Sequence, residues 1–383
     1  MARKRRAYFR PMRHVRTVCA VLITTLVAAG TAAASDRVCL SAPVPAASKP
    51  AQAIRFGITP LLAGTSGAVQ KPAVPEDQTQ TDLALQALDP PGHQLVMRIN
   101  RVFESDGQAG IDRAVSLEQH YSQLGFGVES QVRYHPTDAE NGDMNAWVQY
   151  VRAATAALAQ NPSLVALTIT NEVNFPTSPN TSDGAYKNAL DALVLGIVAA
   201  RQELTKIGRT DVALGFSYAY RYLPSSDDDF WKGIAQRATP TFRRALDYVG
   251  VQLYPGLVYP PVLAPGQTAG DATLEALALV RDCYMPLAVI GNRVQLWITE
   301  NGYATNLGHT EAEQAQDLTS TVDDVYRYSG TFGVTDYRYF NLRDNVQDGT
   351  DLFDDVGLLR SDYTQKPSFS TYRDLIAAYG TGG

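Results

Sequence analysis

Eight apolar stretches of strand length recur along the chain, and stretches with helical periodicity lie between them. They are AIRFGIT (53–59), LVMRINRVF (95–103), GVESQVRY (127–134), LVALTIT (164–170), VALGFSYAY (212–220), YVGVQLY (248–254), VQLWIT (294–299) and VTDYRYFN (334–341). Among the intervening helices, AGIDRAVSLEQHYSQL stops at Gly125 and NAWVQYVRAATAALAQ stops before Pro162. Ser182 and Asp183 are placed to cap the long helix that follows them, Thr310 and Glu313 to form a capping box, and a last helix is expected near 369–378. Eight strands alternating with helices is the pattern of an α/β fold closed into a single (β/α)8 TIM barrel. A doubly wound open sheet would normally show fewer strands and a nucleotide fingerprint, and neither a G-x-G-x-x-G nor a P-loop occurs.

The start of the chain reads differently. Arg3, Lys4, Arg5, Arg6, Arg10, Arg13 and Arg16 precede VCAVLITTLVAAGTAAA, the pattern of a secretory signal peptide over residues 1–34. The apolar run is short for a membrane span, and none like it follows, so the mature chain is expected to be extracellular with no membrane association. Arg5-Arg6 is also compatible with twin-arginine export. Residues 35–52 are a Pro/Ala/Ser-rich arm or linker, and 53–383 run on without a break in texture as one catalytic-sized domain. The first 34 residues hold seven basic groups and no acid, so their removal takes the formal charge from −6 to −13. That balance argues against nucleic acid as a partner. Cys39 and Cys283 remain after cleavage; in an oxidising compartment they can pair and tie the arm to the body, the alternative being two free thiols.

A barrel of this kind carries its site at the C-terminal ends of the strands. The polar residues there are Arg98, Asn100 and Arg101 on the second strand, Arg133, Tyr134 and His135 after the third, and Asn171 and Glu172 after the fourth. Tyr220 and Arg221, Tyr254, Glu300 and Asn341 follow on the fifth to eighth. A single glutamate after a strand is usually solvated or paired with an arginine. Two of them, on the fourth and seventh strands, face each other across the mouth, and such a pair can cut an acetal, with the carboxyls about 5 Å apart in retaining enzymes. One must stay protonated and the other ionised. Tyr254 is placed to donate to Glu300, and Asn171 to hold a sugar hydroxyl. His93, His120, His135 and His309 are too scattered for a metal site, and no candidate strand ends in a Schiff-base lysine. No cofactor and no metal are therefore expected. The acidic DGTDLFDD (348–355) has no calcium-ligand spacing and reads as a solvated loop.

These residues resemble clan A of the glycoside hydrolases, the retaining (β/α)8-barrel glycosidases. The likeness rests on TITNEVN (168–174), WITENG (297–302), VQLYPG (251–256) and the closing VGLLRSDYTQKPSFSTYRDL (356–375). It implies that Glu172 is the acid/base and Glu300 the nucleophile, that Asn171 meets the sugar 2-hydroxyl, and that Tyr254 orients Glu300. It also implies an arginine, Arg98 or Arg101, beside Glu300; His135 and Asn341 are, by their strand-end positions, the further candidate substrate contacts. Many clan members end the eighth strand in a tryptophan; here Phe340 or Asn341 takes that place. Tyr218, Tyr220, Tyr222 and Tyr259 are candidates for stacking on sugar faces. The expectation is a secreted, monomeric retaining glycosidase acting on an extracellular oligo- or polysaccharide. A transglycosylase with the same residues, a catalytically silent carbohydrate-binding barrel and a structural cell-wall protein are the alternatives.

Overall fold

Strand β1 (Arg55–Ile58) pairs in parallel with β2 (Val96–Phe103) on one side and with β8 (Val334–Tyr339) on the other, so the sheet closes on itself. Between them stand β3 (Gly127–Arg133), β4 (Leu164–Ile169), β5 (Ala213–Ala219), β6 (Tyr248–Gln252) and β7 (Gln295–Asn301), in sequence order around the ring. The structure is a computed structural model and describes residues 38–60, 74–179, 181–221, 224–346 and 349–382. The signal-peptide segment, Tyr222 and Asp348 lie outside the described residues.

The outer layer comprises α1 (Gln78–Leu88), α2 (Gly107–Gln123), α3 (Met144–Leu158), α4 (Ala189–Lys206), α5 (Pro224–Arg237) and α6 (Pro240–Ala245). It continues with α7 (Ala269–Leu279), which passes through a π-helical turn into the short α8 (Met285–Leu287), then α9 (Glu311–Phe332) and α10 (Pro367–Tyr379). The protein is a (β/α)8 TIM barrel. Thr310 and Glu313 make the reciprocal capping box at the start of α9. Ser182, in contrast, caps only a 3-10 turn, Asp183–Ala185, and α4 starts later, behind Asn188. The reason is that Asp183 is pinned to the ends of β3 and β4 by its side chain and backbone, which leaves no room for a helix to begin there.

The inside of the barrel is unusual for the fold, whose interior is normally filled by branched aliphatic side chains. Arg98 on β2 donates to Glu129 on β3, which also accepts from Arg338 on β8. Arg338 continues to Asp336, which takes Arg55 as well. Buried charges of this kind are tolerable only when paired and hydrogen-bonded. Against this lattice, with the Arg55 and Arg338 guanidiniums on the Trp297 ring, the rings of Tyr248 and Trp297 stack 3.7 Å apart. Gly215 makes that possible, because a Cβ there would lie 2.5 Å from the Tyr248 ring. The aliphatic core sits instead between the strands and the helices, around residues such as Ile99, Leu167, Ile197, Leu277 and Val322.

Cys39 and Cys283 form a disulfide. The described part of the arm is also fastened by Cys39 N–H to Asp228, Ser48 N–H to Thr331 and Gln52 N–H to Ser329. It lies against the body and does not act as a loose linker.

Candidate active site

β4 ends in a kinked tripeptide. Thr170 and Glu172 both adopt left-handed backbone conformations, with φ of 66° and 49°, on either side of Asn171. Such conformations cost of order 1–3 kcal/mol each in residues other than glycine and persist only where surrounding contacts enforce them. The enforcing contacts come from residues 181–183. Asp183 accepts from the Asn171 backbone N–H (2.8 Å) and returns its own N–H to the Asn171 carbonyl (2.9 Å). Ser182 Oγ donates to the Glu172 carbonyl, and the Thr181 carbonyl accepts from Asn171 Nδ2 and from Arg133. The Asn171 side-chain oxygen accepts from Gln131, Ser217 and Gln252 at 2.8–3.0 Å, which fixes the amide orientation and leaves one N–H for a ligand.

Glu300 lies one residue before the end of β7, opposite Gln252 of β6, at a register shift between the two strands. Three side chains donate to its carboxylate: Arg98 Nη1 at 2.6 Å, Gln252 Nε2 at 2.9 Å and the Tyr254 hydroxyl at 2.9 Å. Of the two arginines, Arg98 is the one that reaches Glu300. Gln252 spends both amide hydrogens at once, one on Glu300 and one on Asn171, and so couples the two strand ends. The Tyr254 ring is held edge-on by Phe353 and Phe340.

Glu172 is also buried, but no hydrogen bond reaches its carboxyl among the described residues. Burial, followed by the nearby charge of Glu300, pushes its pKa well above the ordinary carboxyl range; Arg133 and Arg98 oppose the shift, and Asp183 adds to it. Two carboxyls thus stand at the mouth in opposite surroundings. One is an acceptor of three donors, the other a carboxyl for which the protonated form is favoured.

A cleft lies beside them, lined by Asn100, Arg101, Arg133, Asn171, Glu300 and Phe340, with Phe103 and Thr181 completing its wall. His135 stands outside that lining, between the rings of Phe103 and Tyr186 at 5.1 and 5.0 Å, with Ser105 on Nδ1. Burial lowers its pKa. Asn341 is buried below the surface, and Phe340, one residue earlier, faces the cleft in its stead. The peptide bond joining the two is cis. Tyr220 and Tyr259 meet edge to face at 5.8 Å, whereas Tyr218 is fully buried among Phe230, Trp231 and Tyr284. In the acidic loop, Asp351, Asp354 and Asp355 are engaged by Phe353 N–H, Asn345 and Gly349 N–H, and the last two acids are buried, where a solvated loop is expected from the sequence.

The sequence does not mark Gln131, Ser217, Gln252 or Thr181, because each lies inside an apolar run or in a loop far along the chain. The signal available was a glutamine inside a buried parallel strand, at Gln131 and Gln252, where an unpaired amide would be costly. Among the described residues, no group of three His, Cys, Asp or Glu is arranged to hold a metal, and no helix is long and apolar enough to cross a membrane.

No family model and no curated protein matches the sequence. Solved structures do. A family 5, subfamily 18 glycoside hydrolase from Streptomyces cattleya in complex with Manβ1-4GlcNAc aligns with a TM-score of 0.60 at 16% identity, covering 87% of this chain and 81% of that one. A family 1 β-glucosidase from Thermotoga maritima with isofagomine lactam aligns at 0.56 and 13%, covering 80% and 87%. A family 2 β-galacturonidase from Eisenbergiella tayi bound to galacturonate aligns at 0.54 and 11%, covering 87% of this chain and 52% of that one. At these identities the likeness is one of fold, and the fold is the barrel on which those glycoside hydrolases are built.

Proposed function

We propose that the protein is a retaining glycoside hydrolase, exported from the cytoplasm, that cleaves O-glycosidic bonds of an extracellular oligo- or polysaccharide. The observation that carries the proposal is the contrast between the two carboxyls at the ends of β4 and β7. Glu300, steadied by Arg98, Gln252 and Tyr254, is the group suited to attack the anomeric carbon. Glu172, kept protonated by burial, is the group suited to give its proton to the leaving oxygen as that bond breaks. The first step leaves a glycosyl ester on Glu300 and a Glu172 carboxylate. In the second step Glu172 takes a proton from water as that water attacks the anomeric carbon and Glu300 departs, which restores both groups. No cofactor is needed for either step. Asn171, with one free amide hydrogen at the cleft, is the partner for a sugar hydroxyl next to the broken bond. Export is supported by the signal-like start of the sequence and by the disulfide, which persists in oxidising compartments.

The test is turnover of a panel of aryl β-glycosides and cell-wall polysaccharides by the mature protein, with Glu172→Ala and Glu300→Ala alongside. A β-glycosyl azide from Glu172→Ala with added azide, and no such rescue to that product in Glu300→Ala, is the expected result. Sugar binding with no turnover by the parent on any substrate would point to a silent binding barrel instead. Transfer to an added sugar acceptor in preference to water would identify a transglycosylase.

A further inference from the structure

The second strand carries two arginines three residues apart, and their fates differ. Arg98 is neutralised by Glu129 and Glu300. Arg101 has no such partner among the described residues. Between Ile99 and Val102 the pairing of β2 with β3 slips by one residue, so that Asn100 and Arg101 together face the single residue Gln131. A bulge of this kind re-aims side chains and is common next to active sites. Here it brings both Asn100 and Arg101 to the wall of the cleft that holds Glu300 and Asn171.

The guanidinium of Arg101 makes no hydrogen bond or ion pair among the described residues, and its Nη2 is buried without a partner. The arginines that are buried as whole residues are engaged: Arg133 with Asp183, Arg338 with Glu129 and Asp336, Arg281 and Arg343 with backbone carbonyls. Asn100 Oδ1, beside it in the sequence and in the same cleft, is likewise buried and unpartnered. Leaving such groups unmade is costly, more so for a charge, unless a ligand completes them. Burial lowers the Arg101 pKa to about 10; the field of exposed Glu76 raises it and that of Arg133 lowers it further.

Resting on the glycosidase reading, we propose that Arg101 receives an oxyanion carried by the sugar itself, with Asn100 Oδ1 accepting from a hydroxyl beside it. The substrate class is therefore an acidic saccharide. A hexuronate carboxylate matches the planar guanidinium fork in a two-point contact, and a sulfate ester offers the same oxyanion chemistry from another source. A neutral hexose would leave the guanidinium, with its buried Nη2, as it stands.

The experiment compares 4-nitrophenyl β-hexuronides, sulfated β-hexosides and the matching neutral β-hexosides on the mature parent, Arg101→Gln and Arg101→Lys. The parent is expected to favour one acidic class over the neutral one in kcat/KM. Arg101→Gln is expected to reduce that ratio by about 10- to 100-fold, the worth of a hydrogen bond to a charged group, with Arg101→Lys in between. Which acidic class wins identifies the source of the oxyanion. A parent that prefers neutral glycosides, or an Arg101→Gln that lowers all classes alike, overturns the proposal while leaving the glycosidase reading intact. If no glycoside is turned over, titration of the parent with free glucuronate and galacturonate against glucose and galactose decides separately. Binding of the acids alone supports the oxyanion site while the glycosidase reading fails, and equal or absent binding rejects the site. These titrations need no variant, so a poorly folded Arg101→Gln does not block the test.

Discussion

The ends of β4 and β7 solve the same problem, a carboxyl at the mouth of a barrel, in opposite ways. On β7, Glu300 is met by a guanidinium, an amide and a phenol, all aimed at its two oxygens. On β4, the contacts go to the backbone: Ser182 and Asp183 grip the Asn171–Glu172 peptide units, and among the described residues the Glu172 carboxyl itself is left without a donor. The first arrangement solvates a negative charge within the protein. The second fixes the position of an acid while withholding the groups that would ionise it. The two surroundings differ in where the neighbouring donors point, and on the proposed reading that difference alone divides the labour between two identical side chains.

The largest effect should come from removing the acid. Glu172→Gln is expected to lower kcat/KM by about 10²- to 10⁴-fold on substrates with poor leaving groups, and much less on those with good ones. The sign with pH follows from the raised pKa. An acid works only while protonated, so parent activity should fall as pH rises through that elevated value, and Glu172→Gln should lack this alkaline limb. A pH–rate series on both proteins checks it.

Breaking the β7 side tests the other half. Arg98→Met leaves Glu129 and Glu300 buried with one countercharge fewer, and loss of one partner from a buried pair costs about 3–5 kcal/mol. Chemical denaturation should show that loss, together with a fall in activity. Tyr254→Phe removes a single donor and should reduce kcat by roughly 10-fold, the worth of about 1 kcal/mol or slightly more, with the fold intact by circular dichroism. A Tyr254→Phe protein with unchanged kcat would mean that the phenol does not help Glu300.

The smallest effect extends the comparison away from the site. Glu118, on the buried face of α2 and accepting from Ser130, is pushed up to about 8 by burial. Its folded value is raised above the ordinary 4.5, so the stability it allows is full at or below 4.5 and is lost as pH rises toward about 8. Glu118→Gln should therefore melt progressively higher relative to the parent across that window, and a constant difference in melting temperature would contradict this.

The barrel was legible because its period is written in the chain: apolar runs spaced by helices leave few other folds, and the strand ends then name the site. Glu172, Glu300 and Tyr254, with one of Arg98 and Arg101, could be placed near one another on that ground alone. What could not be read were the contacts between distant strands. Gln252 reaches Asn171 across 81 positions and Glu300 across 48, and a glutamine inside an apolar run carries no sign of which neighbour it will bond. The bulge in β2 is equally silent in the sequence, so Arg98 and Arg101 could not be told apart before the register was known. The same holds for Ser182 and Asp183, whose helix-cap pattern is spent on holding β4. Asn341 looked like a strand-end ligand by position, whereas the turn after β8 presents Phe340 to the cleft.

The division of roles between the two glutamates is tested most directly by trapping. Glu172→Ala, incubated with a set of activated 2-deoxy-2-fluoro β-glycosyl fluorides that includes hexuronides, is digested and analysed by mass spectrometry. The expected result is one glycosyl adduct on the peptide containing residues 294–306, with the sugar on Glu300. A sugar on any other residue, or release of a product of inverted configuration with no adduct formed, would contradict the account.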